Sequence, residues 1–249
     1  MKIFQLNTLQ VAEAVAQQLK KFVEEGGYGL SNIHLVGHSI GWDEIFPFKF
    51  ELKLNFRRAH AAGLVGRHLK QISGNQLVIP RIYALDPGRY GFETSKPWGG
   101  GFEGISRDDA AYVQVIHTNA GDVGISASVG HVDFYPNGGK VQNGCDKDFD
   151  PIPGNCNTRR AWYYYQESVR NPRAFTASKC DTFDQFKSNK CSSETTNMGF
   201  GANLAARGDF YLRTHRNIFE SSLGDEGKKY KQMKVYDKNG LVGEIEPFV

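Results

Sequence analysis

Two stretches of this chain hold residues that could perform nucleophilic chemistry on a carbonyl, and a third decides whether they can. Ser39 stands in Gly37-His38-Ser39-Ile40-Gly41, directly after the apolar residues 33–36. A short buried strand that runs into Gly-x-Ser-x-Gly turns too tightly for side chains at the glycines and lifts the serine hydroxyl above the sheet. Ser39 is therefore the candidate nucleophile, although such a pentapeptide also occurs as an ordinary turn. The apolar run 78–85 ends in Asp86-Pro87-Gly88. A carboxylate at a strand tip, later in the chain than the serine, is placed to orient a histidine base. Taken alone, Asp-Pro-Gly is more often just a turn.

The elements that must position these groups are legible in part. Asn7-Thr8 offers an N-cap, and Val11, Ala14, Val15, Leu19, Phe22 and Val23 follow at helical spacing until Gly26-Gly27. A helix, a strand at 33–36 and then the turn give the order of a parallel α/β sheet. A helix should start at once after the turn, yet residues 42–58 carry Pro47 and an alternation of Phe, Leu and Lys that suits extended chain. Helical spacing resumes over 59–70. Further strands are expected at 78–85, 112–117 and 209–214, a strand end and turn at 131–139, and a helix at 158–169.

With 249 residues the chain forms one large core, read as a single domain over 1–249. A net charge of +3 from 30 basic and 27 acidic residues makes no continuous basic stripe, so nucleic acid is not an expected partner. No apolar run reaches the roughly 20 residues of a membrane span. The cysteines form two equally spaced pairs, Cys145 with Cys156 and Cys180 with Cys191, each enclosing ten residues. Without the Cys-x-x-Cys spacing of a zinc site, they read as two local disulfides and an oxidising compartment. The first residues do not form an export signal, which implies a true start upstream of Met1. The last thirty or so residues, about 220–249, are dense in Lys, Gly and Asp and read as a solvated tail.

Taken together the motifs are specific. Residues 33–41, Ala59-His60-Ala61-Ala62-Gly63, Leu85-Asp86-Pro87, the run from Asp109 to Asn119, Gly130-His131-Val132-Asp133-Phe134-Tyr135-Pro136-Asn137-Gly138-Gly139, and Gly144-Cys145 with Cys156 closely resemble the pancreatic-lipase family. That family comprises secreted triacylglycerol lipases, phospholipases A1 including insect members, and non-catalytic yolk proteins. The resemblance runs from about residue 8 to about residue 214, excluding 42–58. It implies an α/β-hydrolase fold, a mostly parallel sheet flanked by helices, truncated at its N-terminal strands. It also implies a secreted carboxylic ester hydrolase in lipid catabolism, acting on triglyceride or phospholipid with transient lipid-surface contact and no cofactor.

By that resemblance Ser39 is the nucleophile, Asp86 the triad acid and the Ile40 N–H an oxyanion donor. The family's calcium site is matched only at Asp109, so no metal is expected. The polar loop between Cys145 and Cys156 corresponds to a short lid, which points toward phospholipase A1 and small insect lipases.

The chain departs from the family at three places. Where the family reads Cys-Ser/Asn-His-x-Arg, Cys156-Asn157-Thr158-Arg159-Arg160 puts Thr158 in the position of the triad histidine. Threonine cannot take the serine proton near neutral pH, so activity is expected to be impaired, with His117 and His131 as the alternative bases and a lipid-binding or yolk-like storage protein as the alternative function. The chain also begins at the helix before the nucleophile strand, which leaves out the loop with the second oxyanion donor. The open sheet edges that result fit poorly with a freely soluble monomer. Finally, residues 42–58 interrupt a direct Gly-Ala-His join. They contain no Ala, Gly, Ser or Thr, and suitable codons at Gly41-Trp42 and Arg58 would place GT and AG at their ends. The segment reads as an unspliced intron or a loop insertion, and a mature, abundant transcript carrying it would refute the former.

Overall fold

In the computed structural model the described residues are 2–39, 55–56, 59–92, 103–145, 155–216, 233–237 and 240–245. Helix α1 (Lys2–Glu24) leads to strand β1 (His34–His38). There follow β2 (Asn55–Phe56), α2 (Ala59–Ile72), β3 (Arg81–Leu85), β4 (Tyr112–Ile116) and β5 (Val132–Pro136). The second half contains α3 (Asn155–Arg170), β6 (Thr176–Lys179), α4 (Phe183–Lys187), β7 (Thr195–Asn197) and β8 (Gly208–Leu212). Eight strands form one sheet in the order β2-β1-β3-β4-β5-β8-β6-β7. The pairs from β2 through β8 in that order are parallel, and β6 and β7 run antiparallel at the far edge. The sheet is mixed but mostly parallel, with helices against it, as in an α/β-hydrolase fold.

Strand periodicity sorts the core into two layers. Leu35, Ile82, Ala84, Val113 and Val115 face the helices α1 and α2, where they meet Ala12, Ala16, Leu64, Val65 and Leu69. Their neighbours Val36, Tyr83, Leu85, Tyr112 and Ile116 face α3, meeting Ala161, Tyr164 and Tyr165. Successive side chains point to opposite faces, so a strand covered on both sides reads as continuously apolar. Each fully buried Leu or Ile contributes about 2 kcal/mol by removal from water. On α3 the buried residues Thr158, Ala161, Tyr165 and Ser168 form one stripe at helical spacing. Position 158 is therefore directed at the sheet by the same periodicity that builds the core.

Several expectations need correction. No Gly or Pro interrupts Lys2–Leu6, so α1 starts there; Thr8 is a buried helical residue and not an N-cap. The helix expected at 158–169 begins at Asn155, because Cys156 is carried on its first turn. The region expected to be a solvated tail contains an antiparallel pair, β9 (Met233–Asp237) with β10 (Gly240–Ile245). Of residues 42–58 only Asn55 and Phe56 are described, and they are extended, pairing with Val36 and Gly37 of β1. Both disulfides form as the spacing suggested, Cys145–Cys156 and Cys180–Cys191, with Cα separations of 5.6 and 4.8 Å. Among the described residues no helix is long and apolar enough to cross a membrane.

Candidate functional site

Parallel pairing brings Ser39 and Asp86 together. His38 stands opposite Leu85 in the β1–β3 register, and each strand continues for one residue into the turn. The Ser39 N–H donates to the Leu85 carbonyl at 2.8 Å, and the Asp86 N–H donates to the Ile116 carbonyl at 2.7 Å. The two residues therefore sit side by side at the C-terminal ends of adjacent strands, about 4.8 Å apart in the direction of strand stacking. Both adopt the left-handed region, with φ of 53° at Ser39 and 44° at Asp86. Non-glycine residues held there carry on the order of 1–3 kcal/mol of backbone strain, and such positions gather at functional sites.

The helix expected after Ser39 is in place despite the intervening segment. The Ala59 N–H, the first of α2, donates to the Ser39 carbonyl at 3.1 Å. The positive end of the α2 dipole thus lies at the turn, where it favours developing negative charge. Ile40, the expected oxyanion donor, lies outside the described residues.

Asp86 is 1 % exposed. Its Oδ1 accepts the N–H groups of Thr118 at 2.9 Å and Asn119 at 2.8 Å. Its Oδ2 is buried and accepts no hydrogen bond from the described residues. The backbone on the other side is equally close: a Cβ at Gly124 would stand 2.5 Å from Oδ1, so only glycine fits there. Thr158, on the first turn of α3 and two residues after Cys156, is buried beside this group. Its Oγ1 is reached by Asn119 Nδ2 at a long 3.5 Å, and its carbonyl bonds the ring of His38 at 2.9 Å.

A carbonyl only accepts, so His38 Nε2 carries the proton in that bond. Burial holds the His38 pKa below its usual value, against the Thr158 carbonyl bond and the Asp86 charge that would raise it; Arg159 adds to the lowering. Of the two alternative bases, His131 precedes β5, at the opposite end of the parallel sheet from Ser39, and its Nδ1 accepts the Val113 N–H at 3.0 Å. His117 is fully buried, with Nδ1 on the Ile125 carbonyl at 3.1 Å and Nε2 on Asp133 Oδ1 at 2.8 Å. Both partners are acceptors, so both ring nitrogens donate and the ring is an imidazolium. Neither nitrogen of His117 has a lone pair to offer Ser39.

Two supporting residues were not singled out from the sequence. His60 on α2 accepts the Ile105 N–H at Nδ1 (3.0 Å) and donates from Nε2 to the Gly88 carbonyl (2.8 Å), tying down the turn that follows Asp86. Burial, opposed by the Gly88 carbonyl, lowers its pKa to about 4, so it stays neutral. Its place in Ala59-His60, on the apolar face of a helix, was the available signal. Arg67 pairs with Asp109 at 2.9 Å through Nε and with Glu103. Asp109 also caps a turn by accepting the Ser106 N–H at 2.8 Å. Its carboxylate is thus committed to Arg67 and the backbone, and among the described residues no group of three or more His, Cys, Asp or Glu is arranged to hold a metal ion.

A sheet of this order with these strand-end residues can be compared with known proteins. The family model described as Lipase matches residues 2–218. The chain belongs to the pancreatic-lipase family. Relatives of this lipase-family chain include pancreatic triacylglycerol lipase of Sus scrofa, 35 % identical over 184 residues and covering 66 % of the chain and 35 % of the relative. The enzyme of the same name from Oryctolagus cuniculus is 35 % identical over 219 residues, covering 76 % and 41 %. Inactive pancreatic lipase-related protein 1 of Homo sapiens is 34 % identical over 206 residues, covering 74 % and 38 %. The chain thus spans 35 to 41 % of the length of these relatives.

Proposed function

We propose that this chain carries a secreted lipase-type ester-hydrolase site, with Ser39 as nucleophile and Asp86 as triad acid, whose turnover is impaired by Thr158. The supporting observation is the Asp86 carboxylate, pinned through one oxygen by two backbone N–H groups beside Ser39 and, among the described residues, unpartnered at the other. A lipid ester of the triglyceride or phospholipid class is the substrate, and the short polar loop closed by Cys145–Cys156 favours the phospholipase A1 type. In the intact reaction a base accepts the serine proton as Oγ attacks the ester carbonyl, and the same group returns a proton to the leaving alcohol. A threonine hydroxyl at 158 cannot accept that proton near neutral pH, and losing a triad member leaves only the roughly 10³–10⁴-fold over water that binding and oxyanion contacts supply. Extracellular residence is in keeping with the two disulfides.

The second reading, a non-catalytic lipid-binding or storage protein, is favoured by Thr158 itself and by likeness to a relative whose name calls it inactive. Thr158→His decides between them. The first reading expects hydrolysis of a short-chain triglyceride or phospholipid emulsion to rise by about 10²-fold or more, with Ser39→Ala abolishing the gain. A folded Thr158→His protein with no gain in hydrolysis, and no labelling of Ser39 by an alkyl fluorophosphonate, would leave the binding protein.

A further inference from the structure

The end of the sheet away from Ser39 gathers positive charge that the fold does not neutralise. His34, Arg81 and Tyr112, the first residues of β1, β3 and β4, stand opposite one another in the register and form a row across the sheet, with neighbours about 4.8 Å apart. Along β1 this row lies about 16 Å from Ser39. Arg207, immediately before β8, holds its guanidinium carbon 5.9 Å from the centre of the Tyr112 ring, and its Nη1 donates to the Leu204 and Ala206 carbonyls, each at 2.8 Å. His131, immediately before β5, stacks on the same ring with centroids 6.1 Å apart.

Among the described residues neither Arg81 nor Arg207 forms an ion pair with a carboxylate. Arg81 is half-buried and Arg207 exposed, so both are open to solvent. Their charges act on one phenol: burial and the neighbouring Tyr83 raise the Tyr112 pKa, and both guanidinium groups pull it down. Burial, then the charges of Arg207 and Arg107, lower the His131 pKa, with Asp108 opposing them. The ring is therefore neutral, and because its Nδ1 accepts the Val113 N–H at 3.0 Å, the proton sits on Nε2. That N–H meets no acceptor among the described residues. A carboxylate is satisfied by a single guanidinium fork, whereas a tetrahedral oxyanion has oxygens enough for donors that arrive from different elements.

We propose that Arg81, Arg207 and His131 form a site around Tyr112 that binds a phosphate- or sulfate-type oxyanion at the end of the sheet opposite Ser39. The two guanidinium groups and the His131 Nε2–H donate to its oxygens. Bound there, the anion ties together the starts of β3, β4, β5 and β8, and by mass action it stabilises the folded chain. The site is independent of the lipase-type reading, since it uses none of the residues at the strand tips of Ser39 and Asp86.

The test is isothermal titration of the full chain, disulfides formed, with sodium phosphate and separately with sodium sulfate, ionic strength being held constant with sodium chloride. One saturable site per chain is expected, with Kd on the order of 1 mM or tighter. Arg81→Gln and Arg207→Gln should each weaken binding by about tenfold or more, the loss expected for one charge-assisted hydrogen bond. Lys21→Gln, which removes an exposed cation on α1, should bind as wild type. Acetate, planar and with two oxygens, should bind about tenfold more weakly than phosphate. The proposal is overturned if nothing saturates up to about 20 mM, if both arginine variants bind like wild type, if Lys21→Gln weakens binding as much as they do, or if acetate matches phosphate. Should Arg81→Gln fail to fold, the exposed Arg207→Gln decides. Sedimentation with phosphatidylcholine vesicles containing phosphatidic acid separates a lipid head group from a free anion: co-sedimentation that requires Arg81 and Arg207, in a chain that free phosphate does not bind, would assign the patch to a lipid surface and overturn the site.

Discussion

Replacing Asp133 with asparagine tests the buried charge pair it forms with His117. Asp133 is 1 % exposed and accepts three hydrogen bonds, from His117 Nε2 at 2.8 Å, the Val129 N–H at 3.1 Å and the Gly130 N–H at 3.0 Å. Its partner His117 has no exposure and lies flat on Tyr135, with ring centroids 4.4 Å apart and planes 2° from parallel. Burial alone would lower the His117 pKa, but the hydrogen bond and charge of Asp133, the Ile125 carbonyl and the Asp86 charge raise it above the usual value. Breaking a buried ion pair from one side costs about 3–5 kcal/mol, and because asparagine retains one acceptor, about 3 kcal/mol is expected for Asp133→Asn. For a domain of this size that lowers Tm by roughly 6–12 °C.

The pH dependence gives the signature. A histidine whose folded pKa is raised stabilises fully below its unfolded pKa of about 6.5, and that stabilisation disappears as pH rises through the folded value. Urea unfolding with disulfides intact, followed by far-UV circular dichroism from about pH 6 to pH 9 around the unfolded histidine pKa, should show the gap between wild type and Asp133→Asn narrowing with pH. A gap that does not change with pH, or one under about 1 kcal/mol, would refute the imidazolium assignment.

Other substitutions probe the neighbouring contacts. Gly124→Ala sets a methyl group 2.5 Å from Asp86 Oδ1; overpacking of this kind costs about 1–3 kcal/mol, and in a Thr158→His background it should also slow hydrolysis, measured as kcat. Replacing both Cys145 and Cys156 with serine frees the segment that leads into Thr158, and loss of so short a closed loop should lower unfolding free energy by about 2–4 kcal/mol in a urea titration. Deleting residues 42–58 would make Ala59 the third residue after Ser39, the spacing its bond to the Ser39 carbonyl already satisfies. The shortened chain is expected to fold with an unchanged circular dichroism spectrum and a Tm no lower than wild type. A loss of structure would mean that the segment supports the fold.

The candidate site was legible in the sequence where it depends on neighbours in the chain. Gly-x-Ser-x-Gly after an apolar run located Ser39, and equal cysteine spacing located both disulfides, because a turn and a short loop are local events. Asp86 was ambiguous, since Asp-Pro-Gly serves any turn; only the pairing of β1 with β3 brings it beside Ser39. The protonation of His117 and His60 could not be read at all, for it depends on carbonyls and N–H groups eight to 45 residues away. Strands β6 and β7 were missed for a related reason. Thr176–Lys179 and Thr195–Asn197 are short and polar, and they become strands by hydrogen bonding at the sheet edge, without an alternating apolar pattern of their own.

The bond between the Ser39 carbonyl and the Ala59 N–H fastens together two points that are 20 positions apart along the chain. Evolution can therefore lengthen, shorten or rewrite what lies between them while the Ser39 hydroxyl keeps its seat, much as a clasp keeps its position whatever hangs from it. Novelty in such a chain need not begin at the strand end itself.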